Sequence, residues 1–387
     1  MGQTVLYVVD SLGLSGKTRA LTNLALNLDR KRFRGFVATL APPEGMLVDE
    51  LRAANIPVEH VPCDDGVHVG VVARLARLAR KLRPAIVHCY NPRPMLYGGL
   101  AAAAVGRPAI GTLSAFACMG GDREYAFLPQ PLHTRSLRNR LRNRLVGALM
   151  QRIAAVSDRA GSAFCTANAI PRDRLVIINY GVDVDADERV AASDIARVRA
   201  EIGAGPGEVL VGSVGRLVEQ KDYPTQLRAL ALAARHAPVR MVVAGAGPLL
   251  EQLRVLARRL GVADRVCWLG ERRDVPAVLR CLDSYVIASK FEPFGVSVLE
   301  AMAAGLPIVS TDVDELPEIL DRGRAGVLVP PERPEDLAEA LERVCADREL
   351  RSRLGTHARQ VVRTRYSLAV AQKAYVNLYG QVLGERA

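Results

Sequence analysis

Few aromatic side chains, no closely paired cysteines and no long apolar run mark this chain of 387 residues, and each shortage removes a class of protein. Phe, Trp and Tyr make up 5% of the sequence, and no basic segment is interleaved with them as stacking on single-stranded nucleic acid requires. Nucleic acid is therefore not expected as a partner. The formal charge of +11 nevertheless calls for something anionic, a phosphorylated small molecule or a membrane surface. The seven cysteines, Cys63, Cys89, Cys118, Cys165, Cys267, Cys281 and Cys345, are scattered, odd in number and lack a Cys-x-x-Cys pair, which fits the reduced thiols of a cytoplasmic protein. Uncharged stretches such as Pro94 to Gly106 fall far below the roughly 20 residues that span a bilayer. The start, Met1 to Asp10, has a short apolar run without a basic leader, so neither a signal peptide nor a transmembrane helix is expected. Gly2 does not read as a myristoylation site, since Leu6 stands where Ser or Thr is wanted.

With 49% hydrophobic residues, there is more apolar material than one core usually holds, and two domains are expected. Short β-rich runs alternate with amphipathic helical patterns: Thr4 to Val9, Gly35 to Leu40, Ala85 to Cys89, Ala109 to Leu113, Arg152 to Val156 and Leu175 to Asn179. A second series follows: Val209 to Val214, Val239 to Ala244, Val266 to Leu269, Ser284 to Ala288, Pro307 to Ser310 and Gly326 to Val329. Alternation of this kind predicts parallel sheets with crossover helices. The expected division is a first α/β domain over 1–185, a linker over 186–207 and a second α/β domain over 208–366. The tail, 367–387, reads as a helix that crosses back over the first domain. Ligands of such sheets sit at the carboxyl ends of the strands, and two such units facing each other predict a central cleft.

Two constellations carry chemistry. Ser289-Lys-Phe-Glu292-Pro-Phe294-Gly295-Val296-Ser-Val-Leu-Glu300 continues through Ala-Met-Ala-Ala to Gly305, a strand end, a loop and a short helix. Backbone N–H groups at that helix start suit a phosphate or a sugar hydroxyl. Glu292 and Glu300 lie eight residues apart in an otherwise apolar stretch, and each carboxylate accepts two hydroxyl protons. The second constellation is Val214-Gly215-Arg216-Leu-Val-Glu-Gln-Lys221, directly after a strand. Gly215 permits close approach to a ligand, while Arg216 and Lys221 neutralise charge on a leaving diphosphate. Asp183, Asp185 and Asp187 form an Asp-x-Asp series; with Arg216 and Lys221 supplying positive charge, no metal is expected there.

These segments, with Ala244-Gly-Ala-Gly247-Pro and Trp268-Leu-Gly270, resemble the retaining glycosyltransferases of family 4. In the first half, Gly16-Lys-Thr-Arg19, Leu21 to Ala25, Ile86-Val-His88, Ala154 to Ser157 and Asn179-Tyr-Gly181-Val-Asp183 are similar to landmarks of the same family. The resemblance implies a GT-B fold and transfer of a sugar from a nucleoside diphosphate to a glycan, lipid-linked or small-molecule acceptor. It favours uridine diphosphate donors, with guanosine diphosphate mannose next, and needs no further cofactor or metal. It assigns Arg216 and Lys221 to the diphosphate, Glu292 with Phe294, Gly295 and Val296 to the donor sugar, and Glu300 to the ribose. The Arg272 region goes to the base, with Gly16, Gly215 and Gly247 in the donor-binding loops. His88 and Ser114 are placed on the acceptor side.

The chain departs from the family pattern at Ser15, in place of the first of two loop glycines, at Ser114, in place of a common histidine, and at Tyr180, in a turn that usually carries Asn. Competing readings remain. Ser11 to Thr18 comes within one residue of the phosphate-binding loop Gly-x4-Gly-Lys-Thr, with Gly16, Lys17 and Thr18 matching, and predicts an ATPase or kinase. A sugar-nucleotide epimerase or hydrolase on the same fold is the other alternative. Finally, Leu137, Leu141, Leu145 and Leu149 recur every four residues, bordered by Arg135, Arg138, Arg140, Arg142 and Arg144. This stripe reads either as a helix resting peripherally on the anionic inner face of a membrane or as a scaffold helix packed on the sheet.

Overall fold

The computed structural model describes residues 2–13, 16–63, 69–113 and 144–384. It separates into two compact units, 1–181 with 368–387, and 182–367. Among the described residues the first unit holds seven parallel strands: β1 (Gln3–Val9), β2 (Phe33–Thr39), β3 (Val58–His60), β4 (Ile86–Tyr90), β5 (Ala109–Leu113), β6 (Arg152–Ala155) and β7 (Leu175–Ile177). Their order across the sheet is β3-β2-β1-β4-β5-β6-β7. The second unit holds six: β8 (Val209–Val214), β9 (Val239–Ala244), β10 (Val266–Gly270), β11 (Ser284–Ile287), β12 (Ile308–Thr311) and β13 (Gly326–Val329), ordered β10-β9-β8-β11-β12-β13. Every pairing recorded in either sheet is parallel.

The central strands read as nearly continuous apolar runs because helices cover both faces of a parallel sheet; Val5 to Val9 and Ile86 to Tyr90 are all buried. The edge strand β3 was not expected from the sequence. It carries Glu59 and His60, both exposed, so its pattern lacks the apolar run that marks its neighbours. A second correction concerns 186–207. That stretch is part of the second unit and includes the helix Ala192–Ile202, which buries Val198 and Ile202.

In both sheets the strand order reverses beside the first strand, between β1 and β4 and again between β8 and β11. Connections on either side of such a switch point leave in opposite directions and open a crevice at the carboxyl ends of the strands. The C-terminal helix Leu368–Leu383 belongs to the first unit, where Tyr375, Leu378 and Tyr379 enter its core. The six cysteines among the described residues are free thiols. No helix among the described residues is long and apolar enough to cross a membrane.

Candidate functional site

The second unit's switch point is assembled from the loops after β8, β9 and β11. After β8 the chain runs through Gly215 and Arg216 into a 3-10 turn, Glu219–Lys221. Asp222, in the left-handed region at φ 42°, then caps the helix Tyr223–Ala233. Its carboxylate accepts from Thr225 N at 3.3 Å and from Thr225 Oγ1 at 2.7 Å, and Gln226 Nε2 donates to Lys221 O at 3.1 Å. Lys221 therefore leaves a short, doubly anchored turn in a fixed direction. Within the protein itself, the closest backbone approach in these loops is at Gly245 and Gly247. A Cβ at Gly215 would meet only ordinary contacts, whereas one at Gly245 would lie 1.9 Å from Gly215 O and one at Gly247 2.4 Å from Leu217 O. Glycine is required where the β9 loop crosses the β8 loop. Gly215 N donates to Ala244 O at 3.0 Å and Leu217 N to Ala246 O at 2.9 Å across that crossing.

The loop after β11 meets this turn from the other side. Gln220 Nε2 donates to Phe291 O at 3.0 Å, and Lys290 N donates to Gln220 O at 2.9 Å. Between them the Lys221 ammonium and the Glu292 carboxylate form an ion pair, with side chains 14% and 8% exposed. Ser289 Oγ donates to the same Glu292 oxygen at 3.0 Å, and Glu292 N donates to Asp314 Oδ2 at 2.8 Å. Removing two charges from water is costly, so a pair this buried persists only where additional hydrogen bonds satisfy it. An ammonium has three donors, which leaves Lys221 able to hold Glu292 and an incoming anion together. Arg216 is half-buried in the same loop.

Gly295, at φ 78°, caps the helix Val296–Ala303. Its buried side is Val298, Leu299, Ala301, Met302 and Ala303. Val296, Ser297 and Glu300 are half-buried and share the other face by helical spacing. Phe294 is buried, its ring edge-on to Tyr366 at 6.1 Å; what it presents at the loop is backbone. Arg272, expected near the base, follows β10 by two residues. Its guanidinium bonds both oxygens of Glu201 at 2.9 Å and both of Asp274 at 2.8 Å. Those bonds tie the loop after β10 to the helix Ala192–Ile202, so Arg272 serves by holding the loop rather than by extending to a ligand. Partial burial pushes the Asp274 carboxyl up, but hydrogen bonds from Arg272 and Arg197 outweigh it and hold it down at about 2.

The Asp-x-Asp series is taken up by arginines of its own unit. Asp183 pairs with Arg189, Asp185 with Arg363 at 2.8 Å, and Asp187 with Arg359 at 3.4 Å and Arg280 at 3.6 Å. Among the described residues no group of three or more His, Cys, Asp or Glu is arranged to hold a metal ion.

In the first unit, Gly16 opens the helix Gly16–Asn27, and Thr18 Oγ1 donates back to Gly13 O. At that sheet's switch point Arg93 Nε lies 3.1 Å from Asp10 Oδ1, with side chains 30% and 38% exposed. The sequence reading passed over this pair, although Asp10 immediately follows β1 and Arg93 follows β4 by three residues. His88 is corrected. It is fully buried, its Nδ1 2.8 Å from Tyr379 OH and its Nε2 2.7 Å from Thr112 Oγ1. With both ring nitrogens engaged under the C-terminal helix, it has none to offer an acceptor. Burial lowers its pKa to about 3, so the ring is neutral. Ser114, Arg135, Arg138, Arg140 and Arg142 lie outside the described residues. Arg144 is exposed in a helical segment, 144–149, where Leu145 is also exposed and Leu149 half-buried.

Two all-parallel Rossmann-like units, the second with a cation–carboxylate pair at its switch point, define a GT-B glycosyltransferase architecture. The sequence matches the family described as Glycosyltransferase Family 4 over residues 14–186 and that described as Glycosyl transferases group 1 over residues 194–361. The chain belongs to this glycosyltransferase family, which removes the phosphate-binding-loop ATPase alternative. It is 30% identical over 230 residues to an uncharacterized glycosyltransferase of Methanocaldococcus jannaschii, covering 59% of each chain. It is 35% identical over 192 residues to the D-inositol 3-phosphate glycosyltransferase of Corynebacterium jeikeium, covering 47% of this chain and 46% of that one. These matches span about half to three fifths of the curated relatives' length. The crystal structure of Anabaena HepE in complex with UDP superposes with a TM-score of 0.81 at 21% identity, over 98% of this chain and 100% of that one, a likeness of fold.

Proposed function

We propose that the protein is a retaining glycosyltransferase that moves a sugar from a nucleoside diphosphate to an acceptor hydroxyl, with the donor held by the second unit. The observation that carries this reading is the buried Lys221–Glu292 pair across the β8/β11 switch point, with Arg216 in the same loop. Lys221 and Arg216 stabilise the diphosphate as its charge grows in the transition state, and no metal is needed for that task. Glu292 accepts sugar hydroxyls and Glu300 the ribose diol. The bond from the anomeric carbon to the diphosphate breaks, and the acceptor oxygen bonds that carbon on the same face. The acceptor's proton passes to the leaving phosphate oxygen. Uridine diphosphate is the favoured donor carrier, a choice supported by HepE, a structural neighbour bound to UDP, with guanosine diphosphate mannose second.

The acceptor is assigned to the first unit, and its chemistry is anionic or presented on an anionic surface. The residues of that unit hold 26 Lys and Arg against 13 Asp and Glu, whereas those of the second hold 26 against 28. The acceptor is thus a phosphorylated or carboxylated small molecule, a glycan, or a lipid-linked sugar at the cytoplasmic face of a membrane.

A thermal-shift screen against uridine and guanosine diphosphate sugars tests the donor half. A ligand at about 100 times its Kd stabilises by about 2.7 kcal/mol, which raises the melting temperature by several degrees. That rise should vanish in Arg216→Ala and shrink in Glu300→Ala. If no nucleoside diphosphate sugar stabilises the wild-type protein, the reading fails.

A further inference from the structure

One helical layer of the first unit carries charge of a single sign. From Gly66 to Gly121 the sequence holds no Asp or Glu and seven Lys or Arg. The described part of that stretch contains two helices, Val69–Leu82 and Pro92–Ala104, which pack against each other. Gly99 of the second lies against Leu149 and Met150, so the segment 144–149 packs beside it. The first helix buries Val71, Leu75, Ala76, Leu78 and Ala79 in the core. Its outer side exposes Val69, Ala73, Arg74, Arg77, Arg80 and Lys81. Ala103, Ala104, Arg107, Arg144 and Leu145 extend that exposed surface. The helices earlier in the chain differ, for Met46–Ala53 carries Asp49 and Glu50, and Glu50 pairs with Arg19 at 2.5 Å.

Among the described residues no carboxylate answers these charges. Arg74 donates to the Pro62 carbonyl at 2.6 Å, and Arg77, Arg80, Lys81, Arg83 and Arg107 have no ion-pair partner there. The helix Arg348–Arg365 of the second unit is also rich in arginine, yet its Arg359, Arg363 and Arg365 pair with Asp187, Asp185 and Glu318. Like charges three or four residues apart destabilise a helix, and Arg74, Arg77, Arg80 and Lys81 stand at that spacing. Cations in a last turn favour the negative end of a helix, which accounts for Arg80 and Lys81. Arg74 and Arg77 lie earlier, where the fold gains nothing from their charge.

We propose that this layer docks on an anionic phospholipid surface, with Arg77, Arg80 and Lys81 against the headgroups. The leucines of the helix Val69–Leu82 are taken up by the core, so the contact is made by charge rather than by insertion of an apolar face. Val69 and Leu145, 82% and 44% exposed, add aliphatic contact among the cations. The one aromatic side chain of the two helices, Tyr97, is buried, which leaves a nucleic-acid base nothing to stack on. The helix Pro92–Ala104 starts at the carboxyl end of β4, where the crevice of that unit opens. A surface lying along this layer therefore borders the crevice, and the acceptor it brings is one held at a membrane. In that choice of acceptor the inference rests on the transfer reading above, whereas the docking itself does not.

Co-sedimentation of the full chain with vesicles, without donor or acceptor, tests the docking by itself. The protein should bind vesicles of equal parts phosphatidylglycerol and phosphatidylcholine but not vesicles of phosphatidylcholine alone, and binding should weaken as salt is raised. Each basic residue near an anionic surface contributes roughly fivefold, so Arg77→Gln, Arg80→Gln and Lys81→Gln combined should weaken binding about a hundredfold. Arg258→Gln, Arg259→Gln and Arg353→Gln remove as much charge from the second unit and should change binding by less than about threefold, since charges far from the surface are screened. All of these side chains are exposed, so both triple variants should keep the wild-type melting temperature. Ala73→Glu, which puts an acid among the cations, should weaken binding on its own. Failure of the wild type to bind the anionic vesicles, equal binding to neutral ones, equal loss in the two triple variants, or capture of nucleic acid in place of vesicles would overturn the inference. Each of those outcomes leaves donor binding in the thermal-shift screen untouched, so the docking fails separately from the transfer reading.

Discussion

The two units repeat one layout and place opposite chemistry at the same point of it. In each, an ion pair links the segment after the first strand to the segment after the strand beside it across the switch. In the first unit the acid comes first, Asp10 to Arg93; in the second the cation comes first, Lys221 to Glu292. Both members of the first pair are about a third exposed, while those of the second are 14% and 8% exposed. An exposed pair contributes up to about 1 kcal/mol, whereas breaking a buried one costs about 3–5 kcal/mol because a charge is left unsatisfied. Burial of the whole side chains, more than the kind of residue, separates the two pairs, for the contacting Asp10 Oδ1 and Arg93 Nε are out of water while the rest of each side chain is not. The cores differ in the same spirit. The first unit buries Tyr7, His88, Tyr90, Tyr375 and Tyr379 in contact with one another, and the second buries the Lys221–Glu292 pair at its switch point.

The largest effect should come from the buried pair. Lys221→Ala should lower the rate of sugar transfer by about 10²–10³-fold, the scale expected when a preorganised charge at a leaving group is removed. Glu292→Gln keeps the shape of the side chain and should cost less. Steady-state kinetics with the donor identified by titration would measure both. A Lys221→Ala enzyme within threefold of wild type would erase the distinction between the two switch points.

Acid should divide the units next. A base whose folded pKa is lowered binds its proton more readily in the unfolded chain, so folded stability falls as pH drops from the unfolded value toward the folded one. For His88 that window runs from 6.5 to about 3. Its neighbours, Tyr7, Tyr90, Tyr375 and Tyr379, have phenols raised by burial, and Thr112 is neutral, so no carboxylate is there to receive an imidazolium. At about 1.4 kcal/mol per pH unit, the first unit should lose roughly 2 kcal/mol by pH 5. Asp274 in the second unit is depressed from 3.8 to about 2, so its contribution is intact at pH 5 and is lost only as pH falls through that lower range. Hydrogen exchange, corrected for intrinsic rates, should show protection falling between pH 7 and pH 5 in β1, β4 and β5 but not in β8, β9 and β11. Equal loss in both units, or no change of slope in His88→Asn, would remove His88 as the cause.

Local pattern was enough to identify the alternation of strands and helices, because parallel strands covered on both faces must be apolar throughout. It also singled out Lys221 and Glu292, which the fold brings together as a buried ion pair, because glycines stand beside them in loops at strand ends. What the pattern could not show depends on distant contacts. His88 looked available because its neighbours along the chain match a family landmark, yet Tyr379, 291 residues away, closes it in. Arg272 looked like a base contact until Glu201, 71 residues earlier, bound it. Gly245 had a local signal, since it sits at a strand end beside Gly247, but the reason for it, the backbone of Gly215, is on another strand.

The smallest expected effect is the one that separates contact from stability at the first switch point. Arg93 sits in the first turn of the helix Pro92–Ala104, which holds no acidic residue there, so its charge opposes the positive end of the helix and Asp10 offsets it. Arg93→Gln removes both the pair and the unfavourable charge, and the two changes act in opposite directions. Stability should therefore shift by no more than about 0.5 kcal/mol, below what an exposed pair contributes at most. If the first unit receives an anionic acceptor at this crevice, the acceptor KM should rise severalfold in Arg93→Gln while donor affinity, measured by titration with the nucleoside diphosphate, stays unchanged. A rise in the donor Kd would place Arg93 with the diphosphate, and an unchanged acceptor KM would leave the pair as an anchor for the helix alone.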